Sequence, residues 1–261
     1  MRLGRKAAKD IRNVSTRSQL KLVRALQQKK YRDQEGLFLV QGRKLLQELL
    51  ESDLKIERIL ASEAIAKEFD HSALEVLPLH ELDRIGTLES GNEVIAVVRI
   101  PDPSGAIHLG REELAIALDS INDPGNLGTI LRVADWFGID HVICSLGSVD
   151  AYNPKCVQAS MGAIFRVKVH YVDLLIELDR LKNNGASILL ASMEGASVFD
   201  RKVERPAILV LGSESHGISD EVRAIGGTAI SIPGSGRSES LNVATAAAAL
   251  CMELDRQFRA G

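Results

Sequence analysis

Apolar strand patterns alternate with helical patterns along the second half of this chain, and that alternation limits the folds open to it. Short runs of aliphatic and β-branched residues are separated by longer stretches in which apolar residues recur at helical spacing. We expect strands at residues 114–118, 141–144, 165–172, 187–192, 207–212 and 228–233, and helices at 126–137, 154–162, 174–183, 219–224 and 241–258. This alternation favours an α/β fold with a parallel sheet covered by helices on both faces.

A smaller α/β unit precedes this region. Strand patterns at 37–42, 56–60, 74–78 and 93–100 are separated by helical pieces, the clearest of which is 43–52. The segment "PDPSG" at 101–105 contains two prolines, a serine and a glycine, a composition that is typical of a linker. We therefore divide the chain into a basic leader with a small domain (1–100), a linker (101–110) and a second domain (111–261).

Composition and apolar patterning argue against several classes of protein. With 45% hydrophobic and 26% charged residues among 261, the chain has the composition of a soluble globular protein. Its first twenty residues are charged and lack the apolar core of a signal peptide. The longest apolar stretch, "VATAAAALCM", is too short to cross a bilayer, so we expect no membrane association. Three scattered cysteines indicate a reduced, cytoplasmic interior, and the histidines and cysteines lack metal-ligand spacing, so no metal is expected.

Positive charge is concentrated at the amino terminus. Residues 1–32 contain eleven lysines and arginines but a single acid, Asp10, whereas the whole chain has a net charge of −3. Such a segment favours a polyanionic partner that is bound through its phosphates, although a solvated tail that aids solubility is the alternative. Leu20, Val23 and Leu26 recur at helical spacing, so part of this segment is expected to fold as a helix with basic flanks.

Three loops of the second half carry the chemistry expected of a ligand site. The first, "INDPGNLGTILRVAD", leads from a strand through a turn into a helix that we expect to open at Asn126, with Arg132 two turns in. The second is "LVLGSESHGIS", with Gly212, Glu214 and Gly217, and the third is "SIPGSGRSESLNV", before a helix expected to be capped near Ser240. Ligands of parallel α/β sheets bind at the carboxyl ends of the strands, where these loops lie.

Each of these loops also has an ordinary structural interpretation. Asn126 and Ser240 are residue types that commonly cap helices, and the alanine-rich helix that follows Ser240 has the small side chains of a buried core helix. Gly212 at a strand end permits a close backbone approach or a positive φ where a side chain would block a flat ligand.

Two common phosphate-binding motifs are absent from these loops. A Walker loop needs a lysine after its second glycine, but Gly217 is followed by Ile218. The segment "GSGRSE" at 234–239 lacks the third glycine of a dinucleotide-binding motif and lies near the end of the chain. Both nucleotide hydrolysis and a nicotinamide-dependent oxidoreductase are therefore disfavoured.

Together the three loops resemble the SpoU (TrmH) branch of the SPOUT RNA methyltransferases. The family's Asn-x-Gly-x3-Arg element corresponds to Asn126–Arg132, its Gly-x-Glu-x2-Gly element to Gly212–Gly217, and its Ser-Leu-Asn-Val element to Ser240–Val243. The segment "NPKCVQASMGAIFRVKV" at 153–169 also looks like the family segment between the first two motifs. Residues 1–100, with "RDQEGLFLVQGRKLL", resemble the L30e-like substrate-binding domain of two-domain members.

The resemblance implies a fold, a reaction and a quaternary structure. The expected fold is a SPOUT-type parallel sheet with a carboxyl-terminal trefoil knot, preceded by a small L30e-like α/β domain. The expected reaction is methyl transfer from S-adenosyl-L-methionine to a ribose 2′-hydroxyl of RNA. Most members are homodimers through the knot helices, a role that suits the small residues of 243–250.

Residue roles follow from the resemblance, position by position. The cofactor is expected to contact Leu211, Gly212, Ile232 and Leu241. The catalytic residues implied are Arg132, Asn126, Glu214, Ser240 and Asn242. Arginine holds its proton too tightly to be a comfortable base, so we expect Arg132 to stabilise the developing alkoxide or to grip the adjacent phosphate. Glu214 either shares in setting hydrogen-bond geometry or holds Arg132 as an ion-pair partner.

The identity of the RNA is the least constrained part of this interpretation. Two-domain members more often modify ribosomal than transfer RNA, so we expect 23S-type ribosomal RNA; a transfer RNA substrate and a catalytically silent ribosome-assembly factor are the alternatives. Gly234, Gln158 and Gln41 depart from the methionine, arginine and glutamate that are common in the family. The side chains expected to grip RNA are those of Arg17, Lys21, Arg24, Lys29, Lys30, Arg32 and Arg43.

Overall fold

The computed structural model describes residues 17–88, 91–102, 105–237 and 239–260, and the chain divides into two compact units, 1–100 and 101–261. The first half of the predicted basic segment 1–32 lies outside the described residues, since residues 1–16 are not among them. No helix of the described part is both long and apolar enough to cross a membrane.

The first unit is a four-stranded sheet with helices packed against it. Its strand order is β1-β4-β2-β3; β4 runs antiparallel to β1 and β2, whereas β2 and β3 are parallel. The strands are β1 (Leu37–Gln41), β2 (Ile56–Ala61), β3 (Leu74–Val76) and β4 (Val94–Arg99), and the helices are α1 (Arg17–Ala25), α2 (Lys29–Glu35), α3 (Arg43–Leu50), α4 (Glu63–Ala66) and α5 (Leu79–Ile85). Of the three apolar residues that predicted a helix here, Val23 and Leu26 are buried in the core of this unit, and Leu20 packs against it.

The second unit is a six-stranded parallel sheet in the order β10-β8-β9-β5-β6-β7. Its strands are β5 (Leu114–Asp119), β6 (His141–Ser145), β7 (Lys168–Val172), β8 (Ser187–Ser197), β9 (Ala207–Gly212) and β10 (Thr228–Ser231). Its helices are α6 (Pro124–Trp136), α7 (Pro154–Ser160), α8 (Leu174–Asn183), α9 (Asp220–Ala224) and α10 (Val243–Ala260). Strands β5 and β9 lie at the centre and are almost completely buried, as expected for a sheet covered on both faces.

Several predicted boundaries differ from the observed ones. Strand β7 begins at Lys168 rather than at 165, because Ala163–Phe165 form a turn of 3₁₀ helix. Strand β8 continues past 192 to Ser197, where it pairs with β10 across a break in register. Part of the predicted linker belongs to the second unit, since Ile107 is buried in its core and its carbonyl accepts a hydrogen bond from Arg180.

Candidate active site

The central strands β5 and β9 end side by side, and their loops form the middle of the candidate site. Asp119, the last residue of β5, is in register with Gly212, the last residue of β9. Asp119 is buried, and its Oδ2 accepts hydrogen bonds from the amide (2.8 Å) and the hydroxyl (2.6 Å) of Ser219. This carboxylate therefore ties the far end of the loop after β9 to the end of β5.

Three predicted catalytic side chains are joined by hydrogen bonds. Asn242 Nδ2 donates to Asn126 Oδ1 at 2.9 Å, and Asn126 Nδ2 in turn donates to Glu214 Oε1. These residues come from the start of α10, the first turn of α6 and the loop after β9. The structure thus brings all three predicted motifs to one place at the carboxyl edge of the sheet.

Asn126 is free to make these contacts because another residue caps α6. The helix begins at Pro124, not at Asn126, and Asp123 is its N-cap. Asp123 Oδ1 accepts from the amides of Gly125 (2.7 Å) and Asn126 (3.0 Å). The alternative that Asn126 serves as the cap is therefore wrong, and its side chain points to Glu214 and Asn242 instead.

Asp123 also contacts the neighbouring helix α7. Its Oδ2 accepts a hydrogen bond from Lys155 Nζ at 2.9 Å. The Lys155 ammonium is the largest cause, ahead of the Asn126 amide, of an Asp123 pKa below the ordinary value of that carboxyl. These contacts therefore favour the ionised form of Asp123.

The glycine of the first motif allows helices α6 and α7 to touch. A β-carbon at Gly128 would lie 2.5 Å from the carbonyl oxygen of Cys156 and 2.6 Å from the β-carbon of Ala159. Any larger residue would push the helices apart. The Asn-x-Gly motif therefore combines a site residue, Asn126, with a helix contact two residues later, at Gly128.

The loop after β9 folds back on its own backbone. Ser213 and Gly217 exchange two backbone hydrogen bonds of 3.0 and 2.9 Å, and Gly217 has a positive φ of 67°. A β-carbon at Gly212 would lie 2.0 Å from the carbonyl carbon of Gly217. A glycine is thus required at position 212 because the backbone of Gly217 approaches it closely, in addition to any ligand that does so. The turn leaves Glu214 exposed at its tip.

The loop between β10 and α10 offers unpaired backbone. Residues 232–237 and 239–241 form no backbone–backbone hydrogen bond with the described part of the chain, and Leu241 is 50% exposed. Free amides and carbonyls beside an exposed aliphatic side chain fit a ligand that combines an aromatic base with polar groups, such as S-adenosyl-L-methionine. Ile232 is half-buried and Leu211 is buried, so Leu211 is available to a cofactor through its backbone.

Asn242, rather than Ser240, caps α10. Asn242 Oδ1 accepts from the amides of Ala244 (3.0 Å) and Thr245 (3.3 Å), and the helix begins at Val243. The prediction that α10 is capped near Ser240 is therefore two residues early. Ser240 is exposed, and its catalytic role stays a prediction.

Arg132 is exposed and is not part of the hydrogen-bonded chain. It lies six residues after Asn126 on α6, about 120° around the helix axis. Within the described residues it makes no hydrogen bond or ion pair, and Glu214 binds Asn126 instead. The alternative in which Glu214 holds Arg132 is wrong in this structure, which leaves the guanidinium free for a substrate.

The predicted RNA-gripping residues separate into exposed and buried ones. Arg17, Lys21 and Arg24 are exposed at helical spacing along one face of α1, and Lys30 is exposed nearby. Lys29 pairs with Asp33 and Arg43 with Glu68, and all four of these side chains are at least one-third exposed.

Arg32 is the exception. Its side chain is buried, and its Nη1 donates to the carbonyl oxygens of Leu26 and Gln27, both at 2.8 Å. It closes the end of α1 within the first unit. The prediction that Arg32 grips RNA is therefore wrong.

Two residues of the site were missed at the sequence level. Asp123 precedes a proline at the first position of a helix, a common N-cap signature that could have identified it as the cap. No sequence motif identifies Lys155 as a site residue, because its proximity to Asp123 depends on how α7 packs against α6. The described residues contain no cluster of His, Cys, Asp or Glu arranged to hold a metal.

Comparisons with known protein families identify both units. The family model described as the SpoU rRNA Methylase family matches residues 113–252, and the MRM3-like substrate binding domain matches residues 17–98. The chain belongs to the SpoU rRNA methylase family. The family predicted from the three motifs is confirmed, as is the substrate-binding domain before it.

Individual relatives agree with this assignment. The 23S rRNA (guanosine(2553)-2′-O)-methyltransferase RlmP of Bacillus subtilis is 28% identical over 88% of this chain and 92% of its own. The SpoU methyltransferase AviRb from Streptomyces viridochromogenes, in complex with the cofactor AdoMet, has a TM-score of 0.84 and 27% identity, and covers 94% of this chain and 100% of its own. A TrmH-family structure from Porphyromonas gingivalis has the same TM-score and coverage at 38% identity.

The fold class, the enzyme class and the cofactor predicted from the sequence are confirmed with the family. This SpoU-family protein is an RNA methyltransferase that uses S-adenosyl-L-methionine. After β9 the chain returns through α10, which packs against α6 and β9, in the region where the resemblance leads us to expect the family's trefoil knot.

Proposed function

We propose that this protein methylates a ribose 2′-hydroxyl in 23S-type ribosomal RNA. The observation that carries the proposal is the Asn242–Asn126–Glu214 chain of hydrogen bonds, which joins three separate motifs at the carboxyl edge of the sheet. Two relatives that match over 88% and 91% of this chain, and so over both units, are named as ribosomal RNA methyltransferases, which supports ribosomal over transfer RNA. A ribosomal substrate is reached in the cytoplasm, where we propose that the protein acts.

The chain's own residues would align the nucleophile and stabilise charge. Bound S-adenosyl-L-methionine supplies an electrophilic methyl group, so the protein must hold the ribose hydroxyl in line with it. We assign the orientation of the ribose to Asn126, Glu214 and Asn242, with Ser240 beside them. Arg132, with no partner in the described protein, stabilises the developing alkoxide or grips the adjacent phosphate.

Cofactor binding is assigned to the loops beside this hydrogen-bonded chain. Leu211 and Gly212 are the last residues of β9, and Ile232 and the exposed Leu241 lie in the loop before α10. Gly234 is exposed, and a β-carbon there would meet no atom within 4 Å, so its departure from the family pattern leaves this loop open.

RNA binding is assigned to the exposed basic residues of the first unit. The Arg17, Lys21 and Arg24 stripe on α1 presents three cations along one face, to which Lys30, Lys29 and Arg43 add charge. Contacts of this kind bind phosphates and position the RNA, whereas the specificity comes from the folded shape of the RNA.

A homodimer through α6 and α10 is also proposed. These helices pack against one another, and their outer surfaces carry exposed apolar side chains, Trp136 at 82% and Met252 at 64% exposure. Ala248 and Ala249 are half-buried on the same side of α10 and would allow a second helix to approach closely.

Tritiated methyl transfer tests the proposed function directly. Purified protein is incubated with labelled S-adenosyl-L-methionine and total RNA from cells that lack the protein, and the modified nucleotide is mapped. Label at a ribose of 23S-type RNA is expected.

Arg132→Ala should abolish methyl transfer while leaving the calorimetric Kd for the cofactor within about threefold of wild type, because Arg132 acts on the hydroxyl or its phosphate. Arg259→Ala, far along α10, is the control and should retain activity.

Other outcomes distinguish the alternatives. Label confined to transfer RNA would overturn the ribosomal assignment but not the reaction. Salt-sensitive RNA binding with normal cofactor binding and no label in any RNA would instead indicate a catalytically silent assembly factor.

A further inference from the structure

The segment 153–169, which separates the first two motifs, contributes a cation to the edge of the site. We propose that Lys155 is a positioning residue, which acts through Asp123 to fix the first turn of α6 and thereby the orientation of Asn126. Its catalytic consequence rests on the proposed function, whereas its structural consequence does not.

The contacts of the Asp123 carboxylate lead from Lys155 to Asn126. Lys155 Nζ donates to Oδ2 at 2.9 Å, whereas Oδ1 accepts from the backbone amides of Gly125 and Asn126. One carboxylate thus has its two oxygens fixed from opposite sides. If Lys155 is removed, Oδ2 loses its partner in the protein, and the carboxylate is free to rotate away from the two amides.

Lys155 is itself held in place by the packing of α7. Its backbone amide donates to Asn153 Oδ1, the cap of that helix, at 2.9 Å. Cys156, Val157 and Ser160 are completely buried, and α7 meets α6 at Gly128 without room for a β-carbon. The ammonium therefore projects from a fixed helix and has a defined position relative to Asp123.

The first turn of α6 is where small movements have catalytic consequences. Asn126 must place one side-chain atom against Asn242 and another against Glu214, so a rotation of its backbone breaks both contacts. The Lys155 and Asp123 side chains are 63% and 46% exposed, and an ion pair of that kind contributes little to global stability. Its effect is therefore expected in the geometry of the site rather than in the melting temperature.

The test compares Lys155→Met, Lys155→Arg and Asp123→Asn in the full-length protein. The methyl acceptor is ribosomal RNA from cells that lack the protein. Lys155→Met is expected to lower kcat about three- to tenfold, with the RNA KM and the cofactor Kd within about twofold of wild type. Lys155→Arg should restore kcat, and the Lys155→Met/Asp123→Asn double variant should lose no more than the worse single variant.

Lys182→Met is the matched control. Lys182 is an exposed lysine of the same unit whose Nζ donates to a backbone carbonyl, that of Ile225. Lys182→Met removes a lysine and its hydrogen bond without touching the site. Its kcat and KM should therefore stay at wild-type values.

Hydrogen exchange gives a readout that does not depend on activity. Amides 125 and 126 should exchange faster in Lys155→Met than in wild type, recover in Lys155→Arg, and remain unchanged in Lys182→Met. If the wild-type protein methylates no RNA, the proposed function fails, but this measurement still decides the positioning role. Unchanged exchange in Lys155→Met would overturn it.

A direct phosphate contact is the competing role for Lys155. In that case Lys155→Met would raise the RNA KM at unchanged kcat and lower the salt dependence of binding by about one ion. That result would refute positioning, as would wild-type kinetics in the variant.

Discussion

At the scale of single residues, two glycines of the site have opposite environments. A β-carbon at Gly212 would lie about 2 Å from the backbone of Gly217 and Ile218, whereas one at Gly234 would meet no atom within 4 Å. Backbone cannot move aside as a flexible side chain can, so the first glycine is a steric requirement and the second is not.

Substituting these glycines therefore gives a paired prediction. Gly212→Ala should lower the free energy of unfolding by about 1–3 kcal/mol and weaken cofactor binding, because the loop that carries Glu214 must open. Gly234→Ala should stay within about 0.5 kcal/mol of wild type. Chemical denaturation and calorimetric titration with S-adenosyl-L-methionine measure both effects, and equal stability of the two variants would contradict the steric argument.

Basic residues of the first unit also differ in role. Arg32→Ala leaves two carbonyls without a buried donor and should cost about 2–3 kcal/mol of stability. Lys21→Ala, on the exposed face of α1, should leave stability nearly unchanged but reduce the salt dependence of RNA binding by about one ion. Denaturation curves and RNA-binding isotherms at several salt concentrations distinguish the structural role of Arg32 from the RNA-binding role of Lys21. An Arg32→Ala protein of wild-type stability, with a reduced salt dependence of RNA binding, would show that Arg32 binds RNA after all.

The sequence predicts which residues come together more reliably than which contacts each of them makes. Asn126, Glu214 and Asn242 were predicted from motifs and are in contact. Asp123 and Asn126 are both good capping residues three positions apart, so local sequence could not decide between them. The burial of Arg32 was equally hidden, since an arginine in a basic segment is usually exposed.

At the scale of elements, the start of α10 combines two tasks in one side chain. Asn242 accepts from the first amides of the helix through Oδ1 and donates to Asn126 through Nδ2. The side-chain amide of Asn242 thus both caps the helix and orients Asn126, and substitutions can separate these two roles.

Asn242→Asp should keep the helix but lose the reaction. Aspartate still caps α10, so the melting temperature should stay close to wild type. In either orientation of the Asn126 amide, however, its oxygen would face a carboxylate, either that of Glu214 or the new one at position 242, and one of the two hydrogen bonds would be lost. Asn242→Ala should lose about 1 kcal/mol of stability and also the activity. Thermal denaturation and methyl transfer assays check both variants, and an active Asn242→Asp enzyme would show that the Asn126 contact is dispensable.

Element types were largely predictable, and boundaries less so. Alternation of apolar runs located every strand of the second unit, because even its edge strands β7 and β10 contain buried aliphatic residues. The extension of β8 to Ser197 was not predictable, since it depends on pairing with β10 after a register shift. The late start of β7 reflects a 3₁₀ turn whose apolar residues look like strand.

At the scale of the whole molecule, the exposed faces of α6 and α10 lead to a prediction about assembly. Met252→Arg should convert the proposed dimer to a monomer, because a charge would be placed in an apolar contact. Met193→Arg is the matched control, since Met193 on β8 is 63% exposed against 64% for Met252. Light scattering after gel filtration gives the mass, and a Met252→Arg dimer would place the interface elsewhere.

The strand order of the sheet could not have been derived from the alternation itself. Alternating strands and helices specify a parallel sheet, but many orders satisfy that pattern, and a knotted one is among the least expected. The order β10-β8-β9-β5-β6-β7 depends on pairing between strands that are far apart along the chain, and such pairing produces no recognisable pattern in the local sequence. Motif resemblance, rather than periodicity, supplied the expectation of a knot, and neither supplied the strand order.

The position of Asn242 has a consequence for protein synthesis. Asn126 is translated more than a hundred residues before the amide that orients it, so an emerging polypeptide has both central strands, the later of which ends at Gly212, before the proposed site is complete. On the proposed function, a ribosome making this enzyme is not exposed to methylation by its own unfinished product, and fragments that end before residue 242 are expected to be inactive.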